Sequence, residues 1–168
     1  MRHHTLASRR HFASFVFALL TALIAGASAH AFGAVQNSPQ VFSVSATSTR
    51  AVVLESVSLR AEPFSLNSAA NFSPNDSRTR LTLFCTNLDL LSGESANALS
   101  ADAEDAAHTH YSLKVEYVGQ VPGFEGIYMV VLRLNDLMSG NLGDVLVRLN
   151  LHGMGSNRVR IGIGQIGG

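Results

Sequence analysis

The sequence predicts an all-β fold, an antiparallel sandwich of about seven strands after an N-terminal export helix. Three observations predict it. Runs in the C-terminal half alternate apolar and polar residues with period two, the pattern of strands with one buried and one wet face. Turn-forming clusters of Gly, Pro, Ser and Asn separate those runs. The first 31 residues have the basic, apolar, small-residue order of a secretory signal peptide.

The export segment opens with Arg2, Arg9 and Arg10 and carries no acid. An apolar run follows from Phe12 to Ala25, then the small residues of Gly26–Ala31. The basic end is held on the cytoplasmic side, the apolar run enters the membrane as a helix, and small residues fit the peptidase. Two A-x-A sites compete, ending at Ala29 and Ala31. The rival expectation is an uncleaved anchor, since a span needs roughly 20 apolar residues. The strongly apolar core here is shorter than that and fits a signal peptide, so cleavage is expected.

Residues 32–50 are rich in Ser, Thr, Asn and Gln and read as a flexible leader, with Val41-Phe-Ser-Val-Ser45 as an ill-defined first strand. The domain is expected over residues 51–168. Ala51–Leu59 is rich in β-formers, Phe64-Ser-Leu66 follows Pro63, and Asn71–Ser77 is dense in turn residues. The clearest strands centre on Leu81/Leu83/Cys85, Leu113/Val115/Tyr117, Val130/Leu132/Leu134, Val145/Val147/Leu149/Leu151 and Val159/Ile161/Ile163. Pro122-Gly123, Ser139-Gly-Asn141 and Gly153–Asn157 supply turns between them. Residues 87–107 break the pattern and are expected to form one helical turn or a long loop. Strands that keep one face dry need a second sheet to cover it.

Three blocks carry a family resemblance: Arg80-Leu-Thr-Leu-Phe-Cys-Thr-Asn-Leu88, the Gly119–Tyr128 turn with Pro122-Gly123-Phe124 and Gly126, and Gly155-Ser-Asn-Arg-Val159. Together they resemble an uncharacterised immunoglobulin-like C-terminal domain that recurs in secreted acidobacterial proteins. That domain is in turn similar to the immunoglobulin-like domains of transcription factors and plexins. Met129 and the lack of a proline after Leu134 depart from the pattern. The resemblance implies an immunoglobulin-like sandwich and an exported location, and it implies no reaction.

Composition narrows the function. The chain has 168 residues and balanced formal charge, but only one Lys, Lys114. Without the three leading arginines, nine basic and twelve acidic residues remain, a net charge near −3. Nucleic acid is bound by clustered Lys and Arg, so no nucleic-acid partner is expected. Membrane contact is expected only through the signal segment. Cys85 is the only cysteine, which excludes an intramolecular disulfide. Sharing a strand face with Leu81 and Leu83, it reads as buried and inert.

Candidate chemistry is sparse. Gly162-Ile-Gly164-Gln-Ile-Gly167 matches G-x-G-x-x-G, but a dinucleotide site requires a helix after it, and only Gly168 follows. Ser156 lacks the flanking glycines of a nucleophile elbow and reads as part of a turn, with Asn157 taking a left-handed backbone. Asp102, Glu104, Asp105, His108 and His110 form the one cluster with metal-ligand chemistry. On an extended backbone the two His point to one side. The spacing matches no closed metal motif, so no metal is assigned, and His108, His110, Glu104 and Asp105 remain the candidates. No catalytic residue and no cofactor are assigned.

Arg133, Arg148, Arg158 and Arg160 lie on polar strand faces and form either a basic stripe or cross-strand ion pairs, the pairs being favoured. Phe124 and Tyr128 flank a turn, where one aromatic is expected to plug the sandwich end and an exposed one would stack on sugar. Asn71-Phe-Ser73 and Asn75-Asp-Ser77 are formal glycosylation sequons with little meaning in a bacterial host. The expected function is a secreted, non-catalytic structural or protein-interaction module, periplasmic or extracellular, with an unknown protein or polysaccharide partner. A carbohydrate-binding module is the first alternative and a small metal-binding protein the second.

Overall fold

Alternation along the chain becomes strands throughout. A computed structural model describes residues 37–70 and 75–167. The export signal, the leader up to residue 36 and the Asn71-Phe-Ser73 sequon lie outside the described residues. The described residues fall in one unit, Gln36–Gly168. Its strands are β1 (Gln40–Val41), β2 (Val53–Glu55), β3 (Arg80–Thr86), β4 (Leu99–Glu104), β5 (His110–Gln120), β6 (Tyr128–Arg133), β7 (Gly143–Leu151), β8 (Met154–Gly155) and β9 (Val159–Ile163). A 3₁₀ turn at Ala96–Ala98 is the one helical element among the described residues.

All pairings between these strands are antiparallel, in one curled sheet of order β1-β3-β6-β5-β4-β7-β8. Strand β2 also pairs with β3, and β9 with β7. Strand β5 makes the curl. Its first four residues pair with β4, whereas Lys114–Gln120 pair with β6. The switch coincides with a bulge between Val115 and Tyr117, the usual device by which a strand bends between sheets. At the far side, residues 49–51 and Phe64 lie parallel to β9. The Ala51 amide donates to Arg160 O (3.0 Å), Arg160 N to Thr49 O (2.7 Å) and Phe64 N to Gly162 O (2.9 Å).

The core follows the predicted faces. Leu81, Leu83 and Cys85, Val130 and Leu132, Val145 to Leu151 at every second residue, and Val159, Ile161 and Ile163 are all buried. Burying such side chains is the main favourable term in folding.

Of the leader and first-strand alternatives for residues 32–50, the described part holds a strand at Val41: Val41 is buried, β1 pairs with β3, and Asn157 Nδ2 and Oδ1 bond the Val41 carbonyl and amide. Three expectations change. Residues 99–104 of the expected loop form β4, with Leu99, Ala101 and Ala103 facing the core. Alanine carries too little apolar and β-forming signal for that alternation to be read. Tyr117 does not share the buried face of Leu113, because the bulge turns it outward to 48% exposure. The left-handed backbone in the last turn is at His152 (φ 51°) and Gly153 (φ 81°), and not at Asn157.

Candidate functional site

The β4–β5 turn holds the metal-ligand candidates. Glu104 and His110 are Cα partners at its base, and His108 sits in the turn with φ 61°. That left-handed residue breaks the extended backbone which would have aligned the two His. His108 Nδ1 lies 2.6 Å from Glu104 Oε1, and Arg158 Nη1 donates to Glu104 Oε2. These two bonds hold the Glu104 carboxyl far down, at about 2. Asp105 closes the turn, accepting from the Thr109 and Ala107 amides at 2.9 Å and from the Tyr111 hydroxyl at 2.9 Å. The carboxylates are thus engaged by protein donors. No group of three His, Cys, Asp or Glu among the described residues is placed to hold a metal ion.

The arginines of the expected basic stripe are paired with acids. Arg133 binds Asp76 (2.8 Å) and Asp136 (2.8 Å), Arg148 approaches Asp102 (3.4 Å), Arg158 meets Glu104, and Arg160 lies 3.7 Å from Asp144. Strands β6 and β7 are not neighbours, so Arg133 and Arg148 belong to different parts of the curl. Arg80, buried in β3, bonds Asp76 (2.6 Å) and Glu116 (3.0 Å). Ser156 is buried as a structural group: its hydroxyl accepts from Leu149 N (3.0 Å) and donates to Asn157 O (2.7 Å). Cys85 is fully buried, and desolvation pushes its thiol up to about 12.

Two exposed aromatics share the β5–β6 hairpin. Tyr128 packs against the core, whereas Phe124 at the hairpin tip is 59% exposed. Tyr117 lies along β5 over Gly119; a Cβ at residue 119 would sit 2.6 Å from Tyr117 Cζ. Glycine at this position therefore lets the ring lie on the strand. Gln120, Val121, Pro122, Gly123 and Glu125 line a shallow concavity beside Phe124.

A second concavity, of about 230 Å³, opens between the β2 end and the segment that leads to β3. Glu55 and Arg60 line it with Ser58, Phe64, Asn67 and Ser68. Glu55 is 6% exposed. Its carboxylate accepts from the Ser58 amide (2.7 Å), the Ser58 hydroxyl and the Ser68 hydroxyl (2.9 Å). Burial pushes this carboxyl up, but the bonds from Ser58 and Ser68 together outweigh it and hold the group below its ordinary value. Reading the sequence missed this pair. Two opposite charges five residues apart with serines between carry no motif, and only the fold turns them to one cavity.

Compared with known proteins, the chain matches no family model, no curated protein and no solved structure.

Proposed function

We propose that the chain is an exported bacterial module, periplasmic or extracellular, that acts by binding rather than by catalysis. The carrying observation is the contrast on its surface. Strand arginines and carboxylates pair with each other, while Tyr117 and Phe124 are presented on one hairpin. Exposed aromatics grouped on a rigid hairpin are what a partner surface uses, since they add contact area at low entropic cost. The partner is a protein or polysaccharide outside the cytoplasm.

We infer that the curled sheet is an immunoglobulin-like sandwich, which fits this reading. Pairing runs β2-β3-β6-β5 on one side of the curl and β4-β7-β9 on the other. In chain order that matches the A-B-E-D and C-F-G strands of constant-type immunoglobulin domains. The resemblance to the acidobacterial domain points the same way. Such sandwiches host many functions, so the partner must be identified on the molecule itself.

The test is expression of the full chain in a bacterial host with a photo-crosslinking residue at position 124 or, as control, at exposed position 44. Export predicts a mature N-terminus at His30 or Phe32 by mass spectrometry. Binding predicts an envelope adduct from position 124 that position 44 does not give. Retention of the intact chain in the cytoplasm, or equal labelling from both positions, refutes the reading. Carbohydrate binding is the second reading, favoured by the Tyr117 ring over Gly119. It predicts retardation of the chain in gels that contain an insoluble or viscous polysaccharide.

A further inference from the structure

Among the eight arginines in the described residues, Arg60 is the one outside every ion pair and every side-chain hydrogen bond. In the same cavity, Glu55 is a buried carboxylate whose hydrogen-bond donors are all neutral. Buried charges in folded proteins are ordinarily paired, because an uncompensated charge is costly away from water. Here only the anion is buried: Glu55 has no cationic partner, and the exposed Arg60 lines the same cavity without bonding to it. Every other described arginine shows that this surface readily forms such pairs.

The geometry points to a binding site for a small zwitterion, a free α-amino acid, with its ammonium on Glu55 and its carboxylate on Arg60. The Glu55 end is fixed. Oε2 takes both Ser58 bonds and Oε1 takes the Ser68 hydroxyl, so the carboxylate is oriented before any ligand arrives. The Val57 amide also donates toward the carboxylate, and a carboxylate's roughly four lone-pair sites let it accept an ammonium N–H beside these neutral donors. The Arg60 end is adaptable: its backbone is held, with its amide 3.4 Å from Ser58 Oγ and its carbonyl accepting from Glu55 N at 2.8 Å. Its guanidinium is left for a planar two-oxygen partner. Size agrees. About 230 Å³ is below the roughly 300–1,000 Å³ of pockets for drug-sized ligands. Phe64 and Pro63 on the wall leave room for a short aliphatic side chain, and the hydroxyls of Ser58 and Ser68 suit a polar headgroup.

This site is separate from the β5–β6 hairpin, so its test is independent of the partner proposed there. The experiment is a two-dimensional NMR titration of the full chain with glycine, L-alanine and L-serine. Ethylamine and acetate at equal ionic strength supply each charge alone. The expected result is a saturable shift of the Ser58, Arg60 and Ser68 amides with the amino acids, and at least about tenfold weaker binding of either single-charge probe. Arg60→Gln is expected to weaken amino-acid binding by about tenfold or more without changing the melting temperature of the free chain, since Arg60 holds nothing together. Glu55→Gln removes a buried anchor, so Arg60→Glu serves as the second variant and is expected to abolish binding. The absence of a saturable shift with all three amino acids overturns the proposal. So does acetate or ethylamine binding as tightly as the amino acids, or undiminished binding by the Arg60 variants.

Discussion

Arg80 and Arg133 are direct Cα partners across β3 and β6, two like charges face to face in the sheet. Such a pair opposes folding unless something lies between the guanidiniums. Asp76 does: its Oδ2 is 2.6 Å from Arg80 Nη2 and 2.8 Å from Arg133 Nε. Bonds from Arg133, then Arg80, hold the Asp76 carboxyl far below its ordinary value.

Replacing that carboxylate exposes the repulsion. Asp76→Asn is expected to lower the melting temperature clearly more than Asp136→Asn, which takes away a partner of Arg133 and Arg78 but leaves Asp76 between Arg80 and Arg133. Arg133→Met in the Asp76→Asn background should recover part of the loss, because only one charge then remains. Differential scanning calorimetry of wild type, Asp76→Asn, Arg133→Met and their double variant closes the cycle. A smaller drop for Asp76→Asn than for Asp136→Asn would contradict the role given to Asp76.

Acid stability has a definite sign. Glu104 has its pKa lowered from 4.5 to about 2 by His108 and Arg158. The folded state thus binds fewer protons than the unfolded state across that window. Its contribution is complete above pH 4.5 and is lost as pH falls from there through about 2. Asp76 acts in the same direction. Urea melts between pH 7 and pH 2 should show the midpoint falling over this window. In Arg158→Gln the fall should be smaller and end at higher pH, because the folded-state pKa of Glu104 then lies closer to 4.5.

Cys85 sets the alkaline limit on its side chain. Its pKa is raised from 9.0 to about 12 by burial alone. The unfolded chain therefore loses the thiol proton first, and stability falls as pH rises above 9.0. At pH 8 the native thiol should not react with a disulfide reagent, whereas one equivalent reacts in denaturant. Cys85→Ser should cost about 1–3 kcal/mol, because it buries a hydroxyl among apolar side chains.

The two halves of the curl share one core. Leu149 on β7 and Leu83 on β3 are both fully buried, and truncating either to Ala should cost about 2–5 kcal/mol. Chemical denaturation should give a single transition in each variant. A transition lost separately from one half would show that the halves fold independently.

The hairpin can be altered without harm to that core. Gly119→Ala displaces the exposed Tyr117 ring and should change stability by less than about 1 kcal/mol. Combined with Phe124→Ser, it should sharply reduce co-purification of the envelope partner that crosslinking from position 124 identifies. Equal capture by wild type and double variant would move the binding surface elsewhere.

Much of the fold was legible because one periodicity repeats. The faces of β3, β6, β7 and β9 follow from Leu81/Leu83, Val130/Leu132, Val145–Leu151 and Val159–Ile163. The misses have local causes. Ala101 and Ala103 hide β4, since their burial comes from neighbours and not from their own hydrophobicity. Tyr117 defeats period two because a bulge adds one residue to the strand. The β4–β5 turn was readable as a polar cluster, but the left-handed His108 that pulls its imidazole onto Glu104 was not. Glu55 and Arg60 had no legible signal at all, for which charges meet at one cavity is a property of the closed fold.

The parallel seam between residues 49–51 and β9 also has a mechanical meaning. Its hydrogen bonds, Ala51 N to Arg160 O and Arg160 N to Thr49 O, join two segments that run parallel, so a pull on the start of one and the end of the other loads both bonds in shear. Tension applied through those two ends would slide the segments past each other and strain the bonds together, instead of opening them one at a time. A module tethered on both sides would therefore resist stretching at the seam before its sheet came apart.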